Sequence, residues 1–150
     1  MNAISFHVAV VGASTAGLAC AQLLRDCGGS VSMFDPAQGA TILDIWHDEG
    51  WRLASREQGT STGRHDALVL ALPAMKAVEL LEPLLPMTAM RAFTMAPSRD
   101  NCLWLPAVQV GLCGDWLCVG AARDGALSGR ALATRLLHDR ATLTTSSSYN

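Results

Sequence analysis

Val8-Ala9-Val10-Val11-Gly12-Ala13-Ser14-Thr15-Ala16-Gly17-Leu18-Ala19-Cys20-Ala21 decides the fold class of this chain. Phe6 to Val11 is a β-branched apolar run that ends at Gly12, the pattern of a strand buried on both faces. From Thr15 to Cys27 the apolar residues Leu18, Ala19, Ala21, Leu23 and Leu24 fit a helix, closed by Gly28-Gly29. Val31 to Phe34 predicts a second strand. A strand, a helix and a strand within so few residues make a β-α-β unit, whose strands run parallel.

The turn inside this unit, Gly12-Ala13-Ser14-Thr15-Ala16-Gly17, follows the G-x-G-x-x-G pattern with Ser14 in place of the middle glycine. That pattern serves a tight turn at the first position, a close backbone approach to a pyrophosphate at the second, and close helix–strand packing at the third. The helix start offers N–H groups and a positive dipole end to phosphates. Ser14 adds a small side chain there, with a hydroxyl able to donate. Asp35 ends the second strand, where a carboxylate can accept both hydroxyls of an adenosine ribose and would repel a 2′-phosphate. The expected ligand is FAD, or NAD, rather than NADP. The plain alternative is a glycine-rich turn followed by an ordinary solvated Asp.

Downstream, Thr41 to Trp46 and Trp51 to Ser55 read as two strands about the polar turn His47-Asp48-Glu49-Gly50. Gln58 to Arg64 reads as a loop, and Ala67 to Leu72 as another buried strand. Pro73 suits a first helical position, with a helix over Ala74 to Leu85 distorted near Pro83. Met87 to Ala107 has no clean periodicity. Gln109 to Cys113 is a last strand, and Asp124 to His138 an amphipathic helix with Leu127, Ala131, Leu132, Leu136 and Leu137 on its apolar side. The expected architecture is α/β: a Rossmann-like parallel sheet flanked by helices, with an additional β-hairpin or meander. Residues 1–140 form one dinucleotide-binding domain and 141–150 a flexible polar tail.

Gly111-Leu112-Cys113-Gly114-Asp115-Trp116 repeats the pattern of a buried strand ending in glycine and an acid, and a helix opens after a glycine-bearing turn at Asp124-Gly125-Ala126. Asp115 can accept from a hydroxyl chain, and the helix start can aim its dipole at an electron-rich ligand atom.

Taken together, these segments resemble the FAD-dependent amine oxidases, and in particular the bacterial renalase-like flavoproteins. Val8 to Gly12 and Gly17 to Ala21 resemble their opening fingerprint. Gly50-Trp51-Arg52-Leu53 and Asp66 to Ala74 resemble the internal hairpin and the strand after it. Cys113 to Leu117 and Asp124-Gly125-Ala126-Leu127-Ser128-Gly129 resemble the closing motif. The resemblance implies that Gly12, Ala13, Ser14, Thr15, Ala16, Gly17 and Asp35 hold the ADP half of FAD. Gly114 and Asp115 would hold the ribityl chain, and Asp124, Gly125 and Ala126 would face the flavin pyrimidine ring. It further implies an oxidoreductase that moves a hydride from an amine or a reduced nicotinamide to the flavin, with no catalytic residue identified. This chain departs from the pattern in three ways. Pro36-Ala37-Gln38-Gly39 follows Asp35 where an arginine- and glycine-rich stretch is usual, Arg123-Asp124 stands in place of Val-Glu, and a substrate-binding block is missing between Pro86 and Cys102. A non-catalytic dinucleotide-binding module, or a shortened flavoprotein acting by association, is therefore the alternative.

Composition sets the outer limits. The 150 residues are 50% hydrophobic and only 16% charged, against a usual ~25% charged. Disorder is thereby excluded for most of the chain, and apolar surface is expected to take up a cofactor or a second copy of the chain. A net charge of −2 gives no footprint for nucleic acid or an acidic membrane surface. Five cysteines, without a C-x-x-C, suggest buried reduced thiols, and four scattered histidines suggest no metal. The start of the chain lacks a basic region followed by a long apolar stretch, and no apolar run approaches membrane-spanning length, so a cytoplasmic location is expected. His138 reads as a dipole-stabilising residue at a helix C-terminus, Ser128 as a helical serine without nucleophile context, and Lys76 as solvated. Of Trp46, Trp51, Trp104 and Trp116, only Trp116 is singled out as a wall for a ring, because it follows Asp115 directly.

Overall fold

The computed structural model describes residues 6–34, 42–47, 49–55, 59–60, 64–82, 101–106, 108–118 and 124–147. The fold is of the α/β, Rossmann-like class. β1 (His7–Val11) is the second strand of a five-stranded sheet, parallel to β2 (Ser30–Phe34) at the edge on one side and to β6 (Ala67–Leu70) on the other. β8 (Val110–Leu112) continues in parallel beside β6, and β7 (Leu103–Leu105) closes that edge in the antiparallel sense. A second, antiparallel sheet is built from β3 (Ile42–His47), β4 (Trp51–Ser55) and β5 (Gly59–Thr60).

Strand alternation sorts the core into two sides. Val8, Val10, Ala67 and Val69 face the layer of α1 (Thr15–Asp26) and α3 (Gly125–Ser147), where they pack with Ala16, Cys20, Leu24, Leu132, Ala133 and Leu136. Ala9, Val11, Leu68, Leu70, Val110 and Leu112 face the other way, onto Ile45, Trp51 and Leu53 of the small sheet and Ala77 and Leu81 of α2 (Ala74–Leu81). Beyond the exposed His7, the residues of β1 and β6 are all apolar and buried because both faces are covered. Each fully buried Leu or Val contributes roughly 1.5–3 kcal/mol.

Local signals set the first unit. Ser14 caps α1, and at its far end Gly28 adopts φ +91°, with Gly28 N–H donating to Arg25 O (3.0 Å) and Gly29 N–H to Leu24 O (2.9 Å). This left-handed stop releases the chain directly into β2. Besides this packing, hydrogen bonds at Trp51 join the small sheet to the chain entering β6 and β8. Trp51 and His65 exchange backbone hydrogen bonds (2.6 and 2.9 Å), and the Trp51 indole donates to Val108 O at 3.0 Å. The His65 ring stands edge-on to Phe34 at the end of β2, with centroids 6.1 Å apart.

Several expectations need correction. β7 lies in the stretch without periodicity, and β5 in the expected loop. Pro73 is the N-cap of α2 rather than its first helical residue, with ψ 150°. α2 stops at Leu81 rather than Leu85. Glu82 N–H still reaches Val78 O, but Pro83, outside the described residues, has no N–H to continue the ladder. α3 runs to Ser147, so the tail expected to be flexible from residue 141 is helical up to that point. Once nucleated, each further helical residue adds a hydrogen bond, which carries a helix through residues of poor propensity.

Candidate functional site

The turn after β1 is shaped by contacts that only glycine allows. Gly12 has φ +103°, and a Cβ there would run into the Ala71 carbonyl at the end of β6. A Cβ at Gly17 would strike the Gly12 carbonyl and sit 3.0 Å from Ala71 Cβ. These two positions draw β1, α1 and the end of β6 together. The Ser14 hydroxyl accepts from Gly17 N–H (3.3 Å) and donates to Ala71 O (3.2 Å). Its proton is thus engaged by the protein, which corrects the expectation that Ser14 donates to a phosphate. The N–H groups of Thr15 and Ala16, in the first turn of α1, have no acceptor among the described residues.

α3 begins beside α1. A Cβ on Gly125 would lie 3.4 Å from Ala16 N and 3.5 Å from Thr15 Cβ, and one on Gly129 would strike the Ala16 carbonyl. The two helices therefore meet backbone to backbone. Asp124 caps α3, its Oδ1 accepting from Ala126 N–H (2.9 Å) and Leu127 N–H (3.4 Å). Two of the donors at this helix start, including that of Ala126, are occupied by the chain's own carboxylate.

Between these helix starts and the carboxyl ends of β6 and β8 lies a cleft of about 430 Å³. It is lined by Ser14, Thr15 and Ala16, by Ala71 to Pro73, by Cys113 to Trp116, and by Gly125. The structure thus brings together Ser14, Thr15, Ala16, Gly114, Asp115 and Gly125 from the expected set. Gly12, Ala13 and Gly17 shape the turn behind the cleft, and Asp124 and Ala126 flank it at the cap. Asp35 lies outside the described residues.

Two features were missed by sequence reasoning. Ser128, fully buried, donates to Asn101 O (2.6 Å) and accepts from Gly114 N–H (2.9 Å), tying α3 to the turn after β8 and to the chain entering β7. The signal was a polar residue on the same stripe as Leu132 and Leu136, at i and i+4 spacing. The second is the wall made by Leu72 and Pro73, whose Leu72 carbonyl accepts from the Trp116 indole at 3.1 Å. His138 is well inside α3 rather than at its end, so the dipole explanation for it is withdrawn.

Cys113 forms part of the floor of the cleft and belongs to the same buried cluster as Cys20 and Cys102. Hydrogen bonding with Cys20, reinforced by burial and by Cys102, pushes its thiol well above the ordinary range, so it remains protonated. Among the described residues, no three His, Cys, Asp or Glu side chains gather into a metal-holding group, and no helix is long and apolar enough to cross a membrane. No protein-family model matches the chain, and no curated protein matches it.

Proposed function

We propose that the chain binds an adenine dinucleotide in this cleft, FAD in the first place and NAD as the alternative, as the cofactor-binding unit of an oxidoreductase. One observation carries the reading. The chain leaves β1 towards β2 on one side and later returns as β6 on the other, and the cleft opens at that reversal, outside the carboxyl ends of the strands. Open α/β sheets bind their ligands at such a switch point.

The residues present suit the ligand. The small Ser14, Thr15, Ala16 and Gly125 leave space, and the Ser14 hydroxyl is turned to Ala71, so the first turn of α1 presents backbone N–H groups to a pyrophosphate. Asp115, exposed on the rim, accepts from sugar-like hydroxyls, and Asp35 is assigned to the adenosine ribose. The flavin, when bound, supplies the hydride-accepting chemistry. The protein's part is binding, orientation and the local field.

A second reading, a binding module without turnover, is favoured by Asp124. Its carboxylate already faces the start of α3, which leaves less positive field there for an electron-rich reduced ring. The five free thiols suit a reducing, cytoplasmic setting, and exposed Leu18 and Leu127 on the neighbouring helices α1 and α3 suit self-association.

The test is the absorption spectrum of the purified protein, followed by titration with FAD and NAD. A flavin spectrum that survives gel filtration, or saturable binding of either dinucleotide, is expected. A colourless protein that binds neither overturns the proposal. Bleaching of bound flavin by NADH or an amine distinguishes the oxidoreductase from the module.

A further inference from the structure

We infer that Trp116 is the platform on which the planar ring of a nucleotide-type ligand stacks in this cleft, an assignment that rests on the dinucleotide reading above. Four tryptophans are present, and their settings differ. Trp51 and Trp104 are 3% and 8% exposed and belong to the two cores. Trp46 is half-buried in β3 and is not part of the cleft wall. Trp116 is half-buried, packs at the margin of the second core and lines the cleft.

Its ring is held before any ligand arrives. The indole N–H donates to Leu72 O at 3.1 Å, tying the end of β8 to the end of β6. The ring also rests against Gly114, where an added Cβ would lie only 2.6 Å from Nε1 and 2.7 Å from Cδ1. Gly114 is in turn pinned through its N–H to the buried Ser128 hydroxyl. A ring so fixed loses little side-chain freedom when a second ring stacks on it, which is the entropic advantage of preorganisation. Because its only polar atom is engaged by Leu72, what remains for a ligand is the π-surface. Such a surface selects planarity and not a particular hydrogen-bonding edge.

The same cleft carries the free N–H groups of the α1 start and the exposed Asp115 carboxylate. The ligand class that uses all three is a planar heteroaromatic ring on a hydroxylated chain that ends in phosphate.

The experiment compares the wild type with Trp116→Phe and Trp116→Leu against FAD, which has rings, and inorganic pyrophosphate, which has none. FAD is followed by flavin fluorescence anisotropy and absorption, and pyrophosphate by calorimetry. Trp116→Leu is expected to weaken FAD binding roughly five- to thirtyfold, as loss of one stacked aromatic does, while Trp116→Phe stays within about threefold. Pyrophosphate affinity should be the same in all three proteins. Wild-type FAD complex should also show a long-wavelength charge-transfer shoulder that Trp116→Phe reduces, a readout that stands even if Trp116→Leu does not fold. Parallel loss of FAD and pyrophosphate binding would make Trp116 a structural wall and overturn the assignment, as would FAD binding and absorption indifferent to both substitutions. Failure of the wild type to bind FAD or NAD at all defeats the dinucleotide reading itself, and the platform with it.

Discussion

The two faces of the five-stranded sheet both bury large side chains, but only one adds close contacts between backbones. Towards α1 and α3, Val8, Val10 and Val69 pack on Leu24, Leu132 and Leu136, and beyond the strand ends Gly12, Gly17, Gly125 and Gly129 add close contacts between backbones. Towards the small sheet the contacts are between large side chains, Ile45, Trp51 and Leu53 against Leu68, Leu70 and Leu112. The first face brings two helix starts and the ends of β6 and β8 around one cleft. The second supplies apolar burial. The glycine-built face is therefore the one whose alteration should change binding, and the other the one whose alteration should change stability alone.

The strongest way to break this division is Trp51→Ala. It removes a buried indole, its bond to Val108 O and its edge contact with the His47 ring. Loss of about 3–5 kcal/mol is expected in urea unfolding, with the dinucleotide affinity of the remaining folded protein unchanged. A large affinity change would show that the second face also shapes the cleft.

Gly129→Ala probes the first face. Its methyl would strike the Ala16 carbonyl, so α3 must shift away from α1. Overpacking of this kind costs about 1–3 kcal/mol, less than the tryptophan loss, yet FAD binding should fall far more than in Trp51→Ala. Equal affinities in the two variants would refute the comparison.

Acid should loosen the joint between the faces. Burial, outweighing the backbone hydrogen bond with Trp51, lowers the pKa of His65, with His7 lowering it further and Asp66 opposing. The unfolded chain therefore takes up the proton first, and the stability tied to neutral His65 is present above about pH 6.5 and declines as pH falls below it, until the folded protein also titrates. Urea midpoints measured between pH 8 and pH 5 should fall less in His65→Gln than in the wild type.

The smallest effects concern the two caps. Asp124→Ala and Ser14→Ala should each cost about 1 kcal/mol, the ordinary value of an N-cap, whereas Asp124→Asn should be nearly neutral because Asn caps as well as Asp. Thermal unfolding of the three variants decides whether the charge at 124 is needed for the fold.

The glycine-built face was the legible one. A run from Phe6 to Val11, a turn of small residues and a Gly28-Gly29 stop are local signals, and the turn at Asp124-Gly125 is another. What could not be read were features made by distant partners. β7 is three residues long and lies at an edge, so only its pairing with β8 marks it as a strand. β5 is two residues long and defined by β4. The site divided in the same way. Ser14, Thr15, Ala16, Gly114, Asp115 and Gly125 were found from local pattern and meet in the cleft. The wall of Leu72 and Pro73, the brace at Ser128 and the commitment of the Ser14 proton to Ala71 each depend on residues remote in the chain.

The Ser128 hydroxyl joins α3 to segments at positions 101 and 114 at once, and α3 follows in the chain the elements that it covers. Until that helix has emerged from the ribosome, the Gly114 N–H lacks its partner, and Cys20 and Leu24 of α1 lack the helix that covers them. The opening unit of strand, helix and strand is made first, but the turn inside it meets the start of α3 only once that helix has been made. A chain cut before α3 would therefore display the apolar face of α1.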